Sequence, residues 1–176
     1  MKWMQVCGFL LALLVLFGFE NPNELNKRAL KEVAKTFETE SFTVESISVS
    51  DSENVNLSIQ LTGQNFFRII SGDNLLGYAF FDQAPSKTAK FDYLVVFNAQ
   101  LKVINTKVLV YREEYGGEIG SKRWLKQFLG KTGGDRVSVN SNIDVISGAT
   151  ISVNSMTKAM DNLLVTIGML QDKNLL

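Results

Sequence analysis

Histidine is absent from this chain of 176 residues, cysteine occurs once, and the formal charge balances to zero. Each shortage excludes a chemistry. Without an imidazole there is no Ser–His or Cys–His nucleophile pair, no histidine metal ligand and no haem attachment through Cys-x-x-Cys-His. A single Cys7 forms no intramolecular disulfide, so any redox chemistry has to rest on a bound cofactor. Lys+Arg and Asp+Glu both total 18, and no basic run follows a phosphate backbone, so nucleic acid is not an expected partner. The chain has instead 45% hydrophobic and 20% charged residues, the balance of one packed domain with a solvated surface.

The N-terminus reads as a leader. Lys2 precedes an unbroken apolar run from Val6 to Phe19, closed by Glu20-Asn-Pro-Asn. A charged start before a run of that length fits a signal peptide or a membrane anchor over residues 1–19, followed by a single domain over 20–176. No Ala-x-Ala-like pair precedes Glu20, so both cleavage and retention as an anchor stay open, as does a buried N-terminal helix. The expected location is extracytoplasmic, on the periplasmic side, secreted or anchored.

Beyond the leader, Leu25–Phe37 places Leu25, Ala29, Val33 and Phe37 on one stripe of an amphipathic helix. Phe42–Val49 alternates as a strand with an irregularity, Ser50–Asn54 is a turn or loop, and Val55–Leu61 alternates cleanly as a strand. Phe66–Ile70 and Leu75–Phe81 form a hairpin about Ser71-Gly-Asp-Asn. Phe91–Phe97 and Leu101–Tyr111 form another about Asn98-Ala-Gln, and the polar stretch around Pro85 joins the two hairpins. The longest helical pattern, Ile151–Leu170, gathers Val153, Met156, Met160, Leu163, Ile167 and Leu170 on one face. The expected class is α+β, an antiparallel sheet packed against helices on one face.

Two stretches carry chemistry. In Asp144-Val-Ile-Ser147-Gly148-Ala149-Thr150-Ile-Ser152, small residues leave the backbone bare just before the long helix. Thr150 sits at or just before its start, where unpaired amides and the positive end of the dipole favour a phosphate. Ordinary helix capping accounts for the same residues. The pattern Asp-x-x-Ser-Gly-Ala-Thr-x-Ser resembles the flavinylation motif of the FMN-binding domain family. That family includes the C subunit of the sodium-translocating NADH:quinone reductase and the G subunit of the Rnf complex. The resemblance implies FMN joined to Thr150 through a phosphoester, with Asp144 as the leading acid. It also implies a partner flavin transferase that uses FAD and magnesium and works outside the cytoplasm.

The second stretch runs from Tyr111 to Lys131. Gly116, Gly117 and Gly120 permit positive φ or close backbone approach, and plain turns explain them equally. Trp124, Leu125 and Phe128 share one side of a short helix at core spacing. The charged glycine loop, Trp124 and Phe128-Leu-Gly130-Lys131 are similar to the family's flavin-contacting loop, although the Thr and Pro usual there are missing. The resemblance, spanning roughly residue 60 to the C-terminus, assigns ring contacts to Tyr115, Gly116, Gly117, Glu118, Ile119 and Trp124, with Lys131 against flavin or phosphate charge. The function implied is a membrane-associated electron carrier working with membrane or extracytoplasmic redox partners. A reductase that binds FMN reversibly, and a non-redox interaction or sensory module, are the alternatives.

Overall fold

The computed structural model describes residues 26–139 and 141–176, so the expected leader lies outside the described residues. The first element, α1 (Lys27–Thr36), begins where the Asn26 side chain accepts the Ala29 amide at 2.9 Å. That bond satisfies one of the free amides of the first turn. Ala29 and Val33, one turn apart, are its buried residues, as the stripe predicts.

Five strands follow in chain order, β1 (Thr43–Ser46), β2 (Phe66–Ser71), β3 (Asn74–Pro85), β4 (Lys90–Asn98) and β5 (Val103–Val110). They form one sheet in the order β1-β2-β3-β4-β5 with every pairing antiparallel. Paired residues share a face, and successive residues alternate between faces. One row across the sheet runs Phe66, Phe80, Val95 and Thr106, and the adjoining row Phe67, Ala79, Val96 and Asn105.

The first row faces the larger core. There Tyr78, Phe91, Tyr93 and Phe97 join it under the long helix α4 (Thr150–Asp172), which contributes Met156, Met160, Leu163, Leu164 and Ile167. The second row faces α1, packing Phe67, Ala79, Leu94 and Val96 on Ala29 and Val33. Asn105 in that row donates to Glu32 at 3.1 Å and Thr36 at 2.7 Å of α1. Helices therefore cover both faces rather than the expected one. The reason lies in the strands: β4 is buried from Phe91 through Phe97, and a strand with two apolar sides needs cover on each.

The expected strand Val55–Leu61 is not formed. Ser50–Asn54 contributes the one-turn α2 (Asp51–Asn54), and the chain then runs irregularly over α4. Leu57 and Leu61 are buried there and Ile59 half-buried, so the alternation marks the inward side chains from Leu57 on, while Val55 is exposed. The backbone bonds go elsewhere. Asn54 accepts the Leu61 amide at 2.7 Å and donates to its carbonyl at 2.9 Å, while the Ile59 amide donates to Thr166 Oγ1 of α4 at 3.0 Å. Alternation reports burial, and side chains of Asn54 and Thr166 supply the partners a neighbouring strand would have supplied.

A long connection, including α3 (Lys122–Leu125), leads from β5 back to α4. Arg136 pins it by donating through Nε at 2.8 Å and Nη2 at 2.5 Å to the two carboxylate oxygens of Asp161. The guanidinium, aided by the Val137 amide, holds the Asp161 carboxyl below the usual carboxylate range against the opposing effect of burial. No helix among the described residues is long and apolar enough to cross a membrane.

Candidate functional site

The N-terminus of α4 is open. Its N-cap, Ala149, has no side-chain oxygen to offer, and the first turn contains no acidic residue. The Val153 amide is the first to bond back, to the Ala149 carbonyl at 2.9 Å, which leaves the amides of Thr150, Ile151 and Ser152 without an intrahelical acceptor. Thr150 is exposed and stands first in the helix. The chain enters through a turn closed by the Ala149 amide on the Ile146 carbonyl at 3.1 Å. Gly148 occupies its third position at φ +81, the left-handed conformation that a type II turn requires there and that a side chain resists. The space where its Cβ would stand holds nothing within 4 Å. An exposed hydroxyl, bare backbone and free helix amides meet here, and together they form a cradle for a phosphate.

Three hydroxyls compete in the motif, and burial separates them. Ser147 and Thr150 are exposed, whereas Ser152 is 3% exposed and engaged. Tyr111 Oη donates to the Tyr115 carbonyl at 3.0 Å and lies 3.0 Å from Ser152 Oγ. With the single phenolic proton committed to the carbonyl, Ser152 is the donor in the second bond. Ser155, one turn further on, donates to the carbonyl of Pro85 at the end of β3.

Tyr111 also brings the glycine loop to the turn before Thr150. Gly116 is buried at φ +85, and a Cβ there would stand 2.7 Å from Tyr111 Oη and 3.4 Å from the Ala149 Cβ. The loop backbone thus packs directly on the residue preceding Thr150. Gly117 has no positive φ, and its Cβ would meet only Tyr111 Cδ1 at 3.8 Å, an ordinary contact. Of the two, Gly116 alone has the conformation and close approach expected of the pair. After it come a 3-10 turn (Gly117–Gly120) and α3, whose N-cap Ser121 accepts the Trp124 amide at 3.4 Å.

The two residues after Tyr111 stiffen the other flank of the loop. Arg112 donates to both carboxylate oxygens of Asp92, at 2.9 and 2.7 Å. Burial pushes that carboxyl up, but the bonds from Arg112 and Gln83 outweigh it and hold Asp92 below its ordinary range. Glu113 accepts the amides of Thr88 at 2.7 Å and Ala89 at 3.3 Å. The Ser86 hydroxyl first, and these amides after it, keep the Glu113 carboxyl low.

Between α3 and the Asp144–Thr150 segment lies a groove of about 630 Å³, lined among others by Glu118, Arg123, Trp124, Asp144, Val145 and Ile146. The candidate ring contacts separate on this geometry. Glu118 is exposed and lines the groove, and Tyr115 is exposed beside Gly116. Ile119 is fully buried in the main core and presents no side chain to a ligand. Trp124 is buried edge-on to Phe128, with centroids 5.3 Å apart and an interplanar angle of 81°, so its ring serves the core while its edge borders the groove. Lys131 stands apart. Its carbonyl accepts the Val103 amide at 2.9 Å, and two residues on Gly133 meets Gly168 near the far end of α4. Eighteen residues of helix separate Gly168 from Thr150, about 27 Å at 1.5 Å per residue.

Tyr111 and Gln127 hold this site and carry no signal in the sequence, whereas Ser152 is the last residue of the motif. Tyr111 and Ser152 lie 41 residues apart and meet only through the fold. No local signal marks their pairing. Among the described residues no group of three His, Cys, Asp or Glu side chains is placed to hold a metal ion.

Residues 87–165 match the FMN-binding domain family. That span holds the glycine loop, α3, the turn before Thr150 and most of α4, and is narrower at both ends than the expected residue 60 to the C-terminus. No curated protein matches the chain. Over that span the chain is similar to the FMN-binding domain family, which supports flavin binding with FMN as the cofactor.

Proposed function

We propose that this protein is an exported, membrane-associated electron carrier whose FMN is esterified through its phosphate to Thr150. One observation carries the reading: within an FMN-binding domain, the exposed Thr150 hydroxyl stands on free amides at the open N-terminus of a 23-residue helix. A phosphodiester there keeps one negative charge, which the helix end favours. The Thr150 oxygen bonds to the riboflavin-side phosphorus of FAD, the pyrophosphate bond breaks, AMP departs, and the hydroxyl proton passes to a base of a magnesium-dependent flavin transferase. The ribityl chain then reaches from Thr150 toward the groove beside the Tyr115–Ser121 loop, where the flavin carries the electrons and the protein orients and tunes it. The redox partners are extracytoplasmic or membrane proteins, and residues 1–19 are the export signal or anchor.

Natively expressed protein is purified, denatured and weighed. Flavin that stays with the chain, at the mass of one FMN less water on the peptide containing Thr150, is the expected result. Flavin released on denaturation overturns the ester and favours a reductase with reversible FMN. For export, a reporter enzyme active only outside the cytoplasm, fused after Leu176, is expected to be active; an inactive fusion, with a cytoplasmic reporter active at the same junction, overturns export.

A further inference from the structure

The backbone of Asp144 is gripped from both sides by one helical turn. The Trp124 indole donates through Nε1 to the Asp144 carbonyl at 2.8 Å. The Asp144 amide donates to Gln127 Oε1 at 2.8 Å. Gln127 Nε2 in turn donates to the Trp124 carbonyl at 3.0 Å, which orients the amide so that its oxygen faces Asp144. Two side chains thus act as a strand partner would, satisfying both polar groups of a residue that has no strand beside it. The clamp is rooted in the core through the Trp124–Phe128 contact and the buried Leu125. What it leaves free is the Asp144 side chain, which is exposed six residues before the acceptor hydroxyl.

Downstream the segment is held again. Ile146 packs on the main core, its carbonyl closes the turn to Ala149, and Ser152 is tied to Tyr111. Ser147, Gly148 and Thr150 are exposed between the two anchors, with Val145 and Ile151 exposed beside them.

We propose that Gln127 is a positioning residue for flavin transfer: by fixing the Asp144 backbone it aims the carboxylate, in the free protein, in the direction a cationic or metal-bearing enzyme site receives it. This rests on the covalent reading above. Such a role has a defined kinetic signature. If loss of the clamp lowers the fraction of molecules with Asp144 correctly aimed, the apparent affinity falls by that fraction while the bound complex reacts as before. The acceptor's KM rises and kcat holds.

The test uses the full chain, a flavin transferase, FAD and magnesium, with transfer followed by flavin fluorescence on the denatured protein. Gln127→Leu removes both bonds and is expected to raise KM for the acceptor about tenfold at unchanged kcat. Gln127→Glu keeps an acceptor for the Asp144 amide and is expected to recover part of that loss. Hydrogen exchange at the Asp144 amide, faster in Gln127→Leu than in wild type, reports the clamp independently of transfer. Should Gln127→Leu fail to fold, Trp124→Phe, which keeps an aromatic side chain and loses the indole N–H, takes its place with the same expectation. Wild-type KM in a folded variant whose Asp144 amide exchanges fast overturns the proposal, as does a fall in kcat at constant KM. A wild-type chain that accepts no flavin overturns the covalent reading, and this proposal with it.

Discussion

The two ends of α4 are built oppositely. At the C-terminal end the last carbonyls are used, with the amides of Lys173, Asn174 and Leu175 bonding back to Met169, Gln171 and Leu170. Asn174 takes a left-handed φ of +55, and Gly168 lies backbone to backbone against Gly133. At the N-terminal end the cap is an alanine, the first residue is an exposed threonine, and the preceding glycine has open space around it. A helix closed at both ends would be better satisfied. Under the proposed function the open end beside the glycine loop receives the phosphate, and the closed end keeps the helix in place.

The comparison is broken most completely at Thr150. Thr150→Ala is expected to abolish covalent flavin altogether, read as intact mass, while stability shifts by no more than about 0.5 kcal/mol because the side chain is exposed. An FMN adduct persisting on the variant, at Ser147 or Ser152, would move the acceptor. The closed end should show the reverse. In Gly168→Ala the new Cβ would stand 2.5 Å from the Gly133 carbonyl oxygen. The expected cost is about 1–3 kcal/mol of stability, measured by chemical unfolding, with flavin attachment intact once folded.

Gly116→Ala sharpens the comparison on the open side. Its φ of +85 and the 2.7 Å approach to Tyr111 Oη predict a cost of about 1–2 kcal/mol and displacement of the loop from Ala149. The spectrum and midpoint potential of the attached flavin are expected to shift, in a redox titration, while Gly117→Ala leaves both unchanged. Equal behaviour of the two variants would place the ring away from this loop.

The smallest effect lies between the ends, at Asp161. Its carboxyl is held low in the folded state, chiefly by Arg136, so the stability it contributes is present above its unfolded value of about 3.9. That contribution is lost as pH falls through the lower folded value. Arg136 is largely exposed, which limits the pair to at most about 1 kcal/mol. Thermal unfolding from pH 5 to pH 2.5 is expected to decline less steeply in Asp161→Asn than in wild type, with flavin attachment the same in both.

Patterns that depend on one element were legible. The stripe Ala29–Val33, both hairpins with their turns, the core side of Trp124, Leu125 and Phe128, and the inward face of α4 all stand as periodicity and spacing predict. Val55–Leu61 forms no strand because the alternation of Leu57, Ile59 and Leu61 reports burial, whereas a strand also needs a neighbour for its backbone. The second covered face escaped because a fully apolar strand such as β4 looks alike whatever lies above it. Lys131 follows the loop closely in sequence, yet the chain crosses to the other end of α4 before reaching it.

By itself the sequence determined the chemical possibilities. It has no imidazole and no cysteine pair, and it contains an Asp-x-x-Ser-Gly-Ala-Thr segment at the start of its longest amphipathic pattern. Those are properties of composition and local spacing, which survive in an unfolded chain. Only the tertiary structure decided which hydroxyl is free and what holds it. Ser152 is withdrawn by a tyrosine 41 residues away, Asp144 is gripped by Trp124 and Gln127, and Gly116 is brought against Ala149. Those contacts join residues from different elements, and their geometry exists only once the sheet and α4 have packed.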